Sequence, residues 1–142
     1  MTDNNPDVRK PLILIAEDVE SNYKLLEIIL KKEYDLLWAK NGREAVDFAM
    51  EHKPDAILMD IKMPVMDGLS AARAIRGLER ADAKTIPIIA ITANTFQEDR
   101  DSAKEAGMDG FVPKPFDAEQ LYDVLREFKG RAGGGESRTA LV

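Results

Sequence analysis

Five polar side chains follow four short apolar segments of this chain, and their chemical types fit one reactive site. Each segment ends directly before polar residues that a hydrophobic core does not readily hold, and these residues are Glu17, Asp18, Asp60, Thr92 and Lys114. Short apolar segments without alternation are typical of parallel strands covered on both faces. In such sheets, ligands bind beyond the carboxyl ends of the strands. The pattern therefore predicts that three carboxylates, a hydroxyl and an ammonium lie close together.

Clustered carboxylates favour a hard divalent cation, because they repel one another unless protons or a cation neutralise them. Magnesium prefers oxygen ligands, retains several waters and commonly takes one or two carboxylates together with a phosphate. Calcium fits less well because it needs a larger cage of protein oxygens. Zinc fits poorly because His52 is the only histidine and the chain has no cysteine. We therefore predict a Mg²⁺ site at Glu17, Asp18 and Asp60.

The same side chains have the chemistry to receive a phosphoryl group. A carboxylate can attack phosphorus and form an aspartyl-phosphate. Mg²⁺ and Lys114 would neutralise the charge on the phosphoryl oxygens, and the Thr92 hydroxyl would bond one of them. Each residue alone has an ordinary alternative as a turn, cap or strand-end residue. Their joint occurrence at successive strand ends favours the reactive site over four independent coincidences.

The rest of the sequence predicts how these residues are brought together. Apolar segments predict five strands, over residues 12–16, 34–39, 56–59, 88–91 and 111–112. A predicted helix follows each strand, which is typical of a doubly wound parallel sheet with the order 2-1-3-4-5. That order brings Glu17 and Asp18 beside Asp60, with Thr92 and Lys114 on the far side. The predicted fold class is therefore α/β, flavodoxin-like, with five parallel strands and five helices.

Three of the predicted helices carry specific signals. The first, over residues 21–32, has a predicted buried stripe of Leu25, Leu26, Ile29 and Leu30. The second opens at a capping box formed by Asn41 and Glu44. The helix over residues 96–106 is unusually polar, so we expect it to have few apolar anchors and to be the most mobile.

Composition bounds the domain organisation and the partners. With 142 residues, 44% of them hydrophobic, the chain is long enough for one globular domain with a real core. We assign residues 11–129 to this domain, residues 1–10 to a flexible arm and the glycine-rich residues 130–142 to a flexible tail. The net charge of −6 argues against nucleic acid as a direct partner. No apolar segment is long enough to span a membrane, so we expect a cytoplasmic protein without a membrane partner.

Four segments together resemble the receiver domain of two-component response regulators, and the resemblance runs from about residue 11 to residue 129. They are Ile15-Ala16-Glu17-Asp18, Leu58-Met59-Asp60-Ile61-Lys62-Met63-Pro64-Val65-Met66-Asp67-Gly68, Ile91-Thr92-Ala93-Asn94 and Val112-Pro113-Lys114-Pro115-Phe116. The resemblance implies that Asp60 is the phosphoacceptor and that Thr92 and Lys114 engage the phosphoryl group. It also implies that the backbone carbonyl of Lys62 joins the three acids as a Mg²⁺ ligand.

The resemblance further implies a switch and a set of partners. Phe111 falls at the aromatic switch position of the family, and the Lys114–Pro115 peptide bond is expected to be cis. The phosphoryl donor would be a histidine kinase or a histidine phosphotransfer protein, and a downstream protein would bind through residues 96–128. Such a domain is a signalling receiver that promotes its own phosphorylation and dephosphorylation, and is not counted as an enzyme.

Two alternative functions stay open from the residues alone. A phosphohydrolase with an aspartyl-phosphate intermediate, similar to the haloacid dehalogenase family, places its nucleophile after the first strand with a second Asp two residues on. Here Asp60 ends the third predicted strand, and the residue two positions later is Lys62. A pseudo-receiver that binds partners without phosphorylation has little support, because every residue expected for the chemistry is present.

Overall fold

A computed structural model describes residues 10–93 and 96–129, so most of the predicted arm and all of the predicted tail lie outside the described residues. The strands are β1 Leu12–Ala16, β2 Asp35–Ala39, β3 Ala56–Asp60, β4 Ile88–Thr92 and β5 Gly110–Pro113. The helices are α1 Glu20–Leu30, α2 Gly42–Glu51, α3 Gly68–Arg76, α4 Ala81–Thr85, α5 Gln97–Glu105 and α6 Ala118–Lys129. All neighbouring strands pair in parallel in the order β2-β1-β3-β4-β5, which confirms the predicted topology.

The central strands are buried on both faces, which explains why their sequences are apolar without alternation. Every residue of β3 and β4 is buried. Leu14, Ile57 and Met59 contribute to the hydrophobic cluster beneath α2, α3 and α5. Side chains from the opposite sheet face, such as Ile15 and Leu58, join the cluster beneath α1 and α6. The sheet is therefore enclosed by helices on both faces and is accessible at the strand ends.

The prediction of five helices is wrong, because the described chain contains a sixth, α4. Its five residues are too few to show helical periodicity, and so short a helix is not stable alone. Tertiary contacts supply the stability: Ala83 is buried, and the preceding Arg80 donates to the Ala49 and Met50 carbonyls at 2.7 and 3.1 Å. The α4 segment is thereby held against the end of α2.

Two local predictions have different outcomes. The capping box at α2 is confirmed in its main part, because Glu44 N donates to Asn41 Oδ1 at 2.9 Å. The Glu44 carboxylate, however, accepts from the Lys40 amide and not from Asn41. The predicted buried stripe of α1 is wrong at Leu25, which is 41% exposed, whereas Tyr23 is buried. The reason is that Tyr23 stacks on Trp38 of β2, with 4.4 Å between ring centroids.

None of the helices within residues 10–93 and 96–129 is both long and apolar enough to cross a membrane.

Candidate functional site

The carboxyl ends of four strands bring together the side chains that the sequence singled out. Glu17 and Asp18 directly follow β1, Asp60 ends β3, Thr92 ends β4 and Lys114 directly follows β5. The strand registers keep these ends level, since Ala16 pairs with Met59, Asp60 with Ile91 and Thr92 with Pro113. The site is therefore a consequence of strand order and register.

The three acids form a compact cluster. One carboxylate oxygen from each of Glu17, Asp18 and Asp60 lies within 4.8 Å of the others. Glu17 and Asp60 are buried, whereas Asp18 is exposed. Burial and the nearby charge of Asp60 raise the pKa of Glu17 above its ordinary value of 4.5, although the Val19 amide, Lys114 and Asn22 oppose this. The folded protein thus holds a carboxylate whose ionised form is disfavoured.

Lys114 is the cation of this cluster. Its Nζ donates to Asp60 Oδ2 at 2.9 Å and lies 3.4 Å from Glu17 Oε1. Burial lowers the pKa of Lys114, but the hydrogen bond and charge of Asp60, together with Glu17, outweigh burial and raise this pKa above 10.5. The ammonium is therefore charged at neutral pH and already directed at the oxygen of Asp60.

The donor atoms of the cluster fit Mg²⁺. Glu17 Oε1 is buried and accepts no hydrogen bond from the described residues, so its contact with Lys114 is an ion pair only. A buried oxygen without a hydrogen bond is costly and has a lone pair to give to a ligand. Three carboxylates and one ammonium leave two negative charges, and all the donors are hard oxygens. A divalent cation that prefers oxygen would bind the free lone pair of Glu17 Oε1 and balance the two negative charges.

Trp38 contacts this cluster, and the sequence analysis did not identify it. Its Nε1 donates to the backbone carbonyl of Glu17 at 2.8 Å, and Lys40 Nζ lies 5.1 Å from the centroid of its ring. No local sequence pattern indicates this contact, because it joins two strand ends that are 21 residues apart. Trp38 is the only tryptophan of the chain, so its fluorescence should report on changes at Glu17.

Two glycines hold the loop between β3 and α3 close to the site. Gly68 N donates to the Ile61 carbonyl, and Gly42 N donates to the Met66 carbonyl. A Cβ at Gly68 would lie 2.2 Å from the Asp60 carbonyl oxygen, and one at Gly42 would lie 2.3 Å from the Met66 carbonyl oxygen. Neither position has room for a side chain, so these glycines let the loop carrying Lys62 close over the end of β3. Lys62 N in turn donates to Asp60 Oδ1 at 3.2 Å.

The same loop contains a strained residue, Val65, whose φ is 70° and whose surface is 81% exposed. A left-handed conformation costs a β-branched residue about 1–2 kcal/mol, and little packing would be lost on truncation. We expect Val65→Gly to raise the free energy of unfolding by about 0.5–1 kcal/mol, after the entropic cost of glycine. Chemical denaturation measures this change. Val65→Ala keeps a Cβ and should change little; equal destabilisation by both variants would contradict the strain.

Thr92 and Phe111 lie on the same face of the sheet. Phe111 pairs with Ala90, and Thr92 lies two residues after Ala90 on the same strand. Side chains two residues apart on a strand point to one face, and paired residues of neighbouring strands share a face. Thr92 is 5% exposed, and Phe111 is half-buried against the cluster beneath α2, α3 and α5. The Lys114–Pro115 peptide bond, which directly follows β5, is cis, as predicted.

Comparison with known proteins identifies the family of this arrangement. The profile of the response regulator receiver domain matches residues 13–126. The chain is 42% identical over 119 residues to hybrid signal transduction histidine kinase I of Dictyostelium discoideum. This match covers 80% of the chain but only 7% of the length of that kinase.

The fold is shared with solved receiver domains. The receiver domain of sensor histidine kinase PA1611 from Pseudomonas aeruginosa, with a magnesium ion in its active site cleft, is 38% identical with a TM-score of 0.79. That match covers 86% of this chain and 99% of the receiver. The Ssk1 receiver domain of Saccharomyces cerevisiae, in complex with the phosphotransfer protein Ypd1, is 32% identical with a TM-score of 0.78 and coverages of 84% and 89%.

Proposed function

Because this chain belongs to the response regulator receiver domain family, and is thus a receiver of two-component signalling, we propose that Asp60 accepts a phosphoryl group from a phosphohistidine. The observation that carries the proposal is the geometry at Asp60. Its Oδ2 accepts from Lys114 at 2.9 Å while two further carboxylates lie within 4.8 Å. In this arrangement the proposed nucleophile, its neighbouring cation and the proposed divalent-metal site lie together at the carboxyl edge of the sheet.

In the proposed reaction a carboxylate oxygen of Asp60 attacks phosphorus, the new P–O bond forms and the P–N bond to the donor imidazole breaks. Glu17, Asp18, Asp60 and the Lys62 carbonyl would hold Mg²⁺. The ion would neutralise part of the negative charge of the phosphoryl group. Lys114 would transfer its hydrogen bond from Asp60 Oδ2 to a phosphoryl oxygen. The hydroxyl of the buried Thr92 would donate a hydrogen bond to another phosphoryl oxygen. These two side chains would stabilise charge without exchanging a proton with the phosphoryl group.

The proposed donor is a histidine kinase or a histidine phosphotransfer protein. The similarity to a hybrid histidine kinase and to a receiver that was crystallised with a phosphotransfer protein supports this choice. The proposed downstream surface is formed by α5, β5 and α6, within residues 96–128. Within α5 only Ala103 is buried, so few apolar contacts oppose its movement.

Phosphorylation by a small-molecule donor tests the proposed function. Incubation of the chain with acetyl phosphate, followed by intact mass measurement, should show one added phosphoryl group with Mg²⁺ and none in chelator. A pseudo-receiver would show no adduct under either condition. A phosphohydrolase would release phosphate continuously from a monoester such as p-nitrophenyl phosphate, which a receiver should not do. Absence of the Mg²⁺-dependent adduct would refute the proposal.

The proposed switch couples Thr92 to Phe111. Movement of Thr92 toward the phosphoryl oxygens would vacate space on the sheet face that it shares with Phe111, and the ring could then turn inward. Beryllofluoride, which mimics the phosphoryl group on an aspartate, should therefore shift the amide resonances of Phe111 and of residues 96–106 as well as those near Asp60.

Thr92→Ala should remove the shifts at Phe111 while reducing phosphoryl uptake by less than about tenfold, because one hydroxyl is only one of several charge-stabilising groups. Thr85→Ala, at an exposed position of α4, is the matched control and should leave both responses intact. Shifts confined to Asp60 in the unmodified chain would show that the switch is absent here.

A further inference from the structure

A side chain completes the contact between the ends of β1 and β2. Glu17 N donates to the Ala39 carbonyl at 2.9 Å, which continues the parallel ladder one residue beyond β1. The next bond of such a ladder would run from the amide of residue 41 to the Glu17 carbonyl. Asn41 instead opens α2 as its N-cap, and the Trp38 indole donates to the Glu17 carbonyl at 2.8 Å. Both backbone polar groups of Glu17 are therefore held by the end of β2.

The indole of Trp38 is itself held by neighbouring side chains. It stacks on Tyr23 of α1, with 4.4 Å between ring centroids and an interplanar angle of 3°. Lys40 Nζ lies over the indole, 5.1 Å from the ring centroid. Tyr23 is buried, so the stack links the end of β2 to the beginning of α1. The position of the indole N–H is thus fixed by these contacts and not only by the rotamer of Trp38.

The beginning of α1 also contacts the Glu17 carboxylate, but less firmly. Asn22, the residue before Tyr23, donates from Nδ2 to Glu17 Oε2 at 3.4 Å, and the Val19 amide donates to the same oxygen at 3.2 Å. Both distances are at or above the usual upper limit for a strong hydrogen bond. The shorter contact of Trp38 with the Glu17 carbonyl is therefore the stronger restraint on this residue.

We propose that Trp38 is a positioning residue, which acts through Glu17 to set the preference of the acidic cluster for Mg²⁺ over Ca²⁺. The inference rests on the Mg²⁺ site of the proposed function. Mg²⁺ demands near-ideal octahedral geometry at short distances, whereas Ca²⁺ accepts longer distances and variable geometry. A carboxylate on a firmly held backbone favours the smaller ion. Without the indole hydrogen bond the Glu17 backbone can relax, which penalises Mg²⁺ more than Ca²⁺.

Trp38→Phe tests the proposal, because it keeps an aromatic ring beside Tyr23 and removes the indole donor. Mg²⁺ and Ca²⁺ are titrated separately into the full 142-residue chain, and the amide resonances of Asp60 and Lys62 give the two affinities. We expect the variant to weaken Mg²⁺ binding by about tenfold and Ca²⁺ binding by about twofold or less, so that the ratio of the two affinities falls by about fivefold. Tyr23→Leu, which removes the stack and keeps the indole, should change this ratio in the same direction by a smaller factor.

Leu36→Ala is the matched control. Leu36 lies two residues before Trp38 on the same face of β2 and packs against the same cluster beneath α1 and α6. The control should lower the free energy of unfolding in denaturant and leave the affinity ratio unchanged. The dispersed amide spectrum of each variant verifies folding.

Three results would overturn the proposal: an unchanged affinity ratio in Trp38→Phe, an equal change of the ratio in Leu36→Ala, or no Mg²⁺-dependent shift at Asp60 in the unmodified chain. The first of these would show that Trp38 only packs against the edge of the sheet. Failure of the unmodified chain to take up a phosphoryl group while it binds Mg²⁺ would instead refute the proposed function alone.

Discussion

Asp60→Asn is expected to abolish phosphoryl uptake and leave the fold intact. An amide oxygen is too weak a nucleophile to form the acyl-phosphate, so no adduct should accumulate with Mg²⁺ present. The side chain keeps its size, and its oxygen can still accept from Lys114 or from the Lys62 amide. Loss of one of three clustered negative charges should also reduce repulsion within the metal-free site.

Intact mass after incubation with acetyl phosphate and Mg²⁺ measures this effect, and circular dichroism verifies folding. The matched control is Asp47→Asn, which removes a carboxylate on α2 whose contact with Arg43 is exposed and long, at 3.9 Å. The control should take up one phosphoryl group as the unmodified chain does. Phosphorylation of the Asp60→Asn variant at a rate near that of the unmodified chain would show that another residue is the phosphoacceptor.

The second large effect is expected at Glu17, the buried carboxylate whose pKa is raised in the folded protein. A raised pKa means that the folded state binds the proton more tightly than the unfolded state does. In chelator, this contribution to stability is fully present below the ordinary pKa of 4.5 and is lost as pH rises through the folded-state pKa. The metal-free protein at neutral pH therefore bears the cost of a buried Glu17 whose ionisation the folded state disfavours.

Glu17→Gln should remove this cost and raise the free energy of unfolding in chelator at pH 7 by about 1–2 kcal/mol. The amide oxygen can still accept from the Val19 amide and from Asn22 Nδ2, as Glu17 Oε2 does. The same change should weaken Mg²⁺ binding by at least about tenfold, because a neutral amide is a poorer ligand than a carboxylate. Stability and metal affinity are thus expected to change in opposite directions.

Denaturant unfolding in chelator at several pH values, and Mg²⁺ titration followed by Trp38 fluorescence, measure the two effects. Trp38 is suited to both because its indole donates to the Glu17 carbonyl. Glu20→Gln, at an exposed position whose contact with Lys24 is 3.8 Å, should alter neither quantity. Lower stability of the Glu17→Gln variant at pH 7, or unchanged Mg²⁺ affinity, would show that Glu17 is a structural acid and not a metal ligand.

The sheet and the set of side chains at its edge could be predicted from the sequence. β1, β3 and β4 are uninterrupted apolar segments because both of their faces are covered. Each ends at a polar residue or directly before one, because the strand ends reach the sheet edge. Parallel strands connected by helices adopt few topologies, so the order of β1 and β3 followed from general rules. Local pattern also sufficed for the cap at Asn41.

The residues that support that edge could not be predicted from the sequence, because they are selected by tertiary contacts. The burial of Tyr23 in place of Leu25, the contact of Trp38 with Glu17 and the α4 helix each depend on a partner far along the chain. A cavity beside Phe111 of β5 is likewise lined by cations from three helices that are separate in sequence: Arg76 of α3, Lys84 of α4 and Arg100 of α5. Periodicity and spacing indicate the structural preference of a single segment. These features depend instead on contacts between segments that are distant in sequence, and such contacts stabilise the protein only after the chain has folded.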